Sequence, residues 1–239
     1  MIDPIQFPGE DRSNAARTII GTREPVALRT FTPTQAVLAR SAGIFHWTPE
    51  GRRLYDYSSG VLVANLGHNP KSWLARFAEL LGWNAETLDG GPGYAETLTL
   101  TAYNAVTEIE AAAVEKLLEN VAASPGGERL DSVCWAASGS EAVQKALWAC
   151  LHLRPQRDTI LATRYGFHGK KGLAGAVTGC ETDHDRDPRV RFISFPMSDC
   201  DDYSGYGQDI DLAPYQQELD QLWDELGESI GTLITEPYL

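Results

Sequence analysis

Apolar residues recur at helical intervals in some stretches of the chain and form short unbroken runs in others. Trp73, Leu74, Phe77, Leu80 and Leu81 share one helical face, which predicts a helix over Asn69 to Trp83 with Asn69 as its cap and Pro70 at its first position. A longer helix is predicted from Leu98 to Ala123, closed by the breaker Ser124-Pro125-Gly126-Gly127. Beyond it the two patterns alternate. Apolar strands are expected at Ser132 to Ala137, Asp158 to Thr163, Val190 to Phe195 and Gly231 to Glu236, with helices at Ser140 to about Leu153 and Pro214 to Leu226. Such alternation predicts an α/β fold with a mostly parallel sheet flanked by helices. Nearer the start, Thr48-Pro49-Glu50-Gly51 lies between aromatic, strand-prone residues and predicts a hairpin over His46 to Ser58. Residues 1 to about 45 carry several prolines and no clear period. They read as an arm with short elements, among them one helix near Thr34 to Arg40.

Composition narrows this picture only modestly. The chain has 239 residues, 43% of them hydrophobic and 22% charged, which supplies ample apolar material for a core. A formal net charge of -13 argues against nucleic acid or an anionic membrane as partner, since both would be repelled. The four cysteines form no C-x-x-C pair, so neither a disulfide framework nor a zinc site is expected. Cys134 and Cys150 lie in apolar runs and are expected to be buried. The opening Met1-Ile2-Asp3-Pro4 lacks a signal-peptide pattern, and no apolar run reaches membrane-spanning length. A cytoplasmic protein is the expectation.

Chemistry enters at Cys134-Trp135-Ala136-Ala137-Ser138-Gly139-Ser140-Glu141. An apolar run ends in small residues and a helix begins at once. Gly139 permits close backbone approach, Ser138 and Ser140 offer hydroxyls, and the helix start offers unpaired N–H groups with partial positive charge. Together they make a candidate anion site. The plainer reading is that Ser140 caps the helix while Glu141 complements its dipole. This segment alone leaves both open.

Ser138-Gly139-Ser140-Glu141-Ala142 also resembles the phosphate cup of class III aminotransferases, and three further matches follow the order of that family. Leu54-Tyr55-Asp56-Tyr57-Ser58-Ser59-Gly60 with Leu66-Gly67-His68-Asn69-Pro70 resembles its amino-terminal signature. Phe167-His168-Gly169 resembles its aromatic-His-Gly motif, and Thr235-Glu236-Pro237 its Glu-Pro strand end. The resemblance covers residue 40 to the end. It implies the large domain of a fold-type I pyridoxal 5'-phosphate enzyme, with residues 1–60 as arm and small-domain segment and 61–239 as the first part of the cofactor-binding domain. By the same resemblance Gly139 and Ser140, with Ser138, bind the cofactor phosphate, Phe167 stacks on its ring, and His168 sits beside the ring in a positioning role. Glu236 lies near cofactor and substrate, and Glu141 braces the cup. Each has a plainer alternative: a core aromatic, a structural histidine, a solvated strand end. The implied reaction moves an amino group between an amine or amino acid and a 2-oxo acid in a homodimer. Asp56 to Val63 would line the donor pocket, and Gly90-Gly91-Pro92-Gly93-Tyr94 would reach toward the neighbouring subunit.

In the family the lysine that forms the Schiff base with the cofactor, and the acidic partner of the pyridine nitrogen, lie beyond the Glu-Pro motif. The five lysines here, Lys71, Lys116, Lys145, Lys170 and Lys171, do not occupy that place. The Schiff-base lysine is therefore expected to be absent from this chain, the chain alone inactive, and a C-terminal remainder supplied by another segment or chain. A non-catalytic or degenerate subunit of the same fold stays open, as does an aminomutase or racemase. A dehydrogenase is the weaker reading, because the Ser-Gly-Ser turn is not a G-x-G-x-x-G fingerprint.

Overall fold

A computed structural model describes residues 4–24, 35–84, 86, 88, 93–101, 105–184, 186–196 and 211–236. The chain divides into two compact units, Met1–Ala113 and Val114–Leu239.

Polar contacts organise much of the first unit. The stretch expected to be an arm contains a helix, α1 (Asp11–Arg23), whose buried residues are Ser13 and Arg17 rather than an apolar stripe. Arg17 forms a buried pair with Glu10 at 2.6 Å and also donates to the Gln35 carbonyl at 2.9 Å. Ser13 donates its N–H and hydroxyl to the Glu50 carboxylate at 2.9 and 2.7 Å, so the hairpin turn caps the helix start. Those bonds, the hydroxyl's first, hold the Glu50 pKa down at about 2.

The helix expected near Thr34 to Arg40 is not formed in its described part, residues 35–40. The Gln35 carbonyl is engaged by Arg17, and the Ala39 N–H donates to the Trp47 carbonyl at 2.8 Å, so the groups a helix needs are used elsewhere. Arg40 instead opens β1 (Arg40–Ala42), which pairs antiparallel with β2 (Phe45–Trp47), itself paired with β3 (Arg53–Tyr55). The hairpin turns through Thr48 to Arg52 as expected, with Trp47 opposite Arg53.

Helix α2 (Lys71–Leu81) carries the predicted stripe and stops at Gly82. Asn69 does not cap it; its side-chain amide donates to the Ser41 carbonyl at 2.8 Å instead. The next helix, α3 (Glu108–Ala122), starts ten residues later than expected. Upstream, the Thr99 hydroxyl bonds the Thr101 carbonyl at 2.7 Å, a local turn that competes with helix.

The second unit holds a parallel sheet in the order β5-β4-β6, with β4 (Thr159–Thr163) central between β5 (Val190–Ile193) and β6 (Ile230–Ile234). Helices α4 (Gly139–Leu153), α5 (Gly172–Ala176) and α6 (Ala213–Leu226) accompany it. All five residues of β4 are buried, as a strand covered on both faces requires. Val143, Leu147 and Leu151 form one face of α4 against a core of Ile160, Ala162, Leu173, Val177, Val190 and Phe192. The strand expected at Ser132 to Ala137 is not formed. Among the described residues no strand pairs with it, and the run stays mostly exposed. Cys134 and Cys150 are exposed rather than buried, one in that unpaired run and the other at the rim of the α4 stripe. Among the described residues no helix is long and apolar enough to cross a membrane.

Candidate functional site

The carboxyl ends of β4 and β6 and the amino end of α4 meet in the second unit, where open parallel sheets offer ligand sites. Each part follows from local sequence. Strand β4 runs into Arg164-Tyr165-Gly166-Phe167-His168-Gly169, a loop of small and aromatic residues that Gly166 turns back toward Thr163 at 3.3 Å. Beyond β6 the chain reaches Glu236, whose carboxylate accepts the Phe167 N–H at 2.9 Å. The Ser140 hydroxyl accepts the Lys170 N–H at 3.3 Å, which joins the loop to the start of α4. Ser138, Gly139, Ser140, Phe167, His168 and Glu236 therefore line one cleft of ≈ 510 Å³, with Val143, Gly169 and Lys170. All six residues singled out from the sequence come together there. The following Pro237 lies outside the described residues.

The helix cap is Ser138, not Ser140: its hydroxyl accepts the Glu141 N–H at 3.2 Å, and its carbonyl accepts that of Ala142 at 3.0 Å. Among the described residues the N–H groups of Gly139 and Ser140 take no bond, so two donors remain at the positive end of the helix dipole. A Cβ placed on Gly139 would meet no atom within 4 Å, so the backbone there faces open space. Glu141 braces the approach by accepting the Ala137 N–H at 2.8 Å. Its charge is offset by Lys145, one helical turn on, at 2.7 Å. That Lys145 bond is the main reason the Glu141 pKa lies below its ordinary value.

Phe167 is 59% exposed, its ring available rather than packed into the core. His168 is buried, with its N–H held by the Thr178 hydroxyl at 2.8 Å. Burial lowers the His168 pKa and the Glu236 charge partly opposes that, so the ring is neutral at pH 7. Its Nε2 is buried without a hydrogen-bond partner, an arrangement that a bound polar group would relieve.

Two supporting residues escaped the sequence reading, and a third, Gly169, was named there only as part of its motif. Thr178 fixes the His168 backbone, and Gln144 accepts the Leu173 N–H at 2.7 Å. Neither carries a pattern that would single it out. Gly169 has one: its φ is +143°, and a Cβ there would lie 2.6 Å from the Ser140 hydroxyl and 2.9 Å from the Ala174 methyl. Only glycine lets the two sides of the cleft approach this closely.

Two other expectations fall in the first unit. Asp56, Tyr57, Ser58 and Gly60 line a cavity of ≈ 890 Å³ within that unit. Gly90-Gly91-Pro92 lies outside the described residues, while Tyr94 is exposed.

A family profile described as "Aminotransferase class-III" matches residues 27–239. The chain is 33% identical over 151 residues to acetylornithine aminotransferase of Xanthomonas campestris pv. campestris, which covers 60% of this chain and 32% of that protein. Its fold resembles that of an (S)-enantioselective omega-transaminase from Thermomicrobium roseum, with TM-score 0.67 and 22% identity over 98% of this chain and 50% of that one. Taurine:2-oxoglutarate aminotransferase of Bifidobacterium kashiwanohense, solved with PLP and glutamate, gives TM-score 0.67 and 18% identity over 97% and 48%. The chain thus matches 32% of this curated relative's length and half or slightly less of these structural neighbours.

Proposed function

The chain belongs to the class III aminotransferase family, whose cofactor is pyridoxal 5'-phosphate, and we propose that its second unit seats that cofactor at the head of α4. The protein would move an amino group between an amine or amino acid and a 2-oxo acid. One observation carries the reading: Ser140, Phe167 and Glu236, distant in sequence, line a single cleft. The residues present suit the cofactor. The Gly139 and Ser140 N–H groups and the Ser140 hydroxyl bind the phosphate. Phe167 offers its exposed ring to the pyridine. Glu236 holds the Phe167 backbone through its bond to that N–H, which fixes where the ring stands. His168, which follows Phe167 and lines the same cleft, positions the ring. Pyridoxal phosphate, when bound, supplies the electron sink on which amino transfer depends.

Lys170 borders the cleft, yet it enters through its backbone N–H bond to Ser140. We assign it no covalent role. Borohydride treatment of the cofactor-loaded chain should leave Lys170 unmodified on peptide mapping; a pyridoxyl group there would overturn the assignment. A homodimer belongs to the same proposal, supported by the exposed apolar run Tyr57, Val61, Leu62, Val63 and Leu66. So does a cytoplasmic setting, which suits the unpaired thiols Cys134, Cys150 and Cys180. The phosphate assignment is tested by titrating pyridoxal phosphate and unphosphorylated pyridoxal separately. Loss of even one charge-assisted bond of about 1.5–3 kcal/mol predicts at least about tenfold weaker binding of pyridoxal. Equal affinities would refute a phosphate seat on α4.

A further inference from the structure

The first unit brings together three side chains that the proposed cofactor cleft leaves unused. His46 comes from β2, Asp56 directly follows β3, and His68 lies in the turn before α2. Reciprocal backbone bonds between Gly43 and His68, at 2.9 and 2.8 Å, clamp that turn to the hairpin. Gly67 permits the clamp, since a Cβ on it would lie 3.1 Å from the Gly43 Cα.

The Asp56 Oδ2 lies 2.7 Å from the His68 Nε2 and 3.7 Å from the His46 Nε2, and the imidazole centroids are 4.4 Å apart. One donor atom from each residue falls within 4.8 Å of the other two. The groups are also held from behind. His46 Nδ1 is 2.7 Å from the Ser41 hydroxyl, and Asp56 Oδ1 accepts from the Ser58 N–H and hydroxyl at 2.9 and 2.8 Å. Asp56 Oδ2 already accepts from the Gly60 N–H at 2.7 Å and bonds His68, so it has no need of His46 as well. His46 nevertheless directs Nε2 toward the same oxygen. Two ring nitrogens converging on one carboxylate oxygen are best reconciled by a cation between them.

We propose that His46, Asp56 and His68 form a binding site for a divalent transition-metal cation of the zinc class. Two imidazoles and one carboxylate suit zinc, cobalt or nickel rather than the all-oxygen preference of magnesium or calcium. Three protein ligands leave a fourth position, which opens into the ≈ 890 Å³ cavity that all three residues line. Tetrahedral ligation with bonds near 2.0–2.2 Å places ligand atoms roughly 3.3 Å apart. The Asp56–His68 contact must open by about 0.6 Å and the Asp56–His46 contact close by about 0.4 Å, both within reach of side-chain rotation. The Ser41 bond to the far nitrogen of His46, and the backbone bonds to Asp56, are the outer supports that orient ligands at metal sites.

The site is tested with zinc itself, on the full chain. After gel filtration in micromolar zinc, metal analysis should find one ion per chain. His46→Gln and His68→Gln should each weaken binding by about 100-fold or more, and Ser41→Ala, which keeps every ligand, by about 10–100-fold. With cobalt in place of zinc, ring-proton NMR should show shifts at His46 and His68 and none at His152, His168 or His184, the remaining three of the five histidines. Equal zinc affinity in the wild type and the His46→Gln/His68→Gln double variant would overturn the proposal. So would cobalt shifts spread over all five histidines.

Discussion

At Ser140 the serine read either as a cap or as an anion ligand is relieved of the first duty by Ser138, whose hydroxyl takes the Glu141 N–H. Ser140→Ala should therefore leave the helix intact and weaken pyridoxal phosphate binding by about 1.5–3 kcal/mol, or roughly 10–100-fold, in a fluorescence titration. Affinity that does not change would remove Ser140 from the phosphate site. Phe167→Ala should cost about 1–3 kcal/mol by analogy with base stacking on aromatic side chains, and should shift the bound cofactor's absorbance. An unaltered spectrum would argue against stacking. His168 predicts a pH dependence. Its folded pKa lies below the ordinary 6.5, so between those values the unfolded chain binds more protons and stability rises with pH. Its contribution is complete above about pH 6.5 and is lost as acid carries the pH down through the window. Melting curves of wild type and His168→Asn should converge as pH falls below about 6.5, and parallel curves would show that burial does not lower the His168 pKa. These residues were legible as a set because a strand-turn-helix phosphate seat needs small, hydroxylated residues in one short run. Thr178 and Gln144 were not, because a lone side-chain bond to a loop leaves no trace in local pattern.

Elements were legible where an apolar stripe or an apolar run supplies the signal. Helix α2, helix α4 and the strands β4, β5 and β6 fall within a few residues of their expected places. Helix α1 was illegible because its inward face is Ser13 and Arg17, satisfied by Glu50 and Glu10 from outside the helix. Arg17→Ala leaves the buried Glu10 with Arg52 alone, 2.7 Å away, and should destabilise the first unit by about 1.5–3 kcal/mol. Urea unfolding followed by the Trp47 signal would measure this, and a loss under about 1 kcal/mol would show the pair to be dispensable. Residues 132–137 erred the other way. Their composition is that of a strand, but pairing depends on a neighbour that local sequence does not specify. The loop after β4 makes its own prediction: Gly169→Ala forces a methyl against Ser140 and Ala174, and should cost about 1–3 kcal/mol together with cofactor affinity. Full stability with intact binding would mean that the loop and α4 are not tightly apposed.

For the molecule as a whole, class and fold followed from motif order and strand-helix alternation, and the family match over residues 27–239 agrees with both. Oligomeric state was not legible from periodicity, because association depends on which apolar residues stay outside after folding. Tyr57, Val61, Leu62, Val63 and Leu66 are each more than 70% exposed, a grouping that predicts self-association. Sedimentation velocity at micromolar concentration should find a dimer that Leu62→Asp and Val63→Asp weaken; a monomer at every concentration would oppose it. The proposed function turns most on where the anionic end of the cofactor sits. A crystal structure of the chain with pyridoxal phosphate tests this directly. The phosphate should lie within hydrogen-bond distance of the Gly139 and Ser140 N–H groups, with the Phe167 ring against the pyridine. A phosphate bound elsewhere, with the head of α4 left to water, would contradict it.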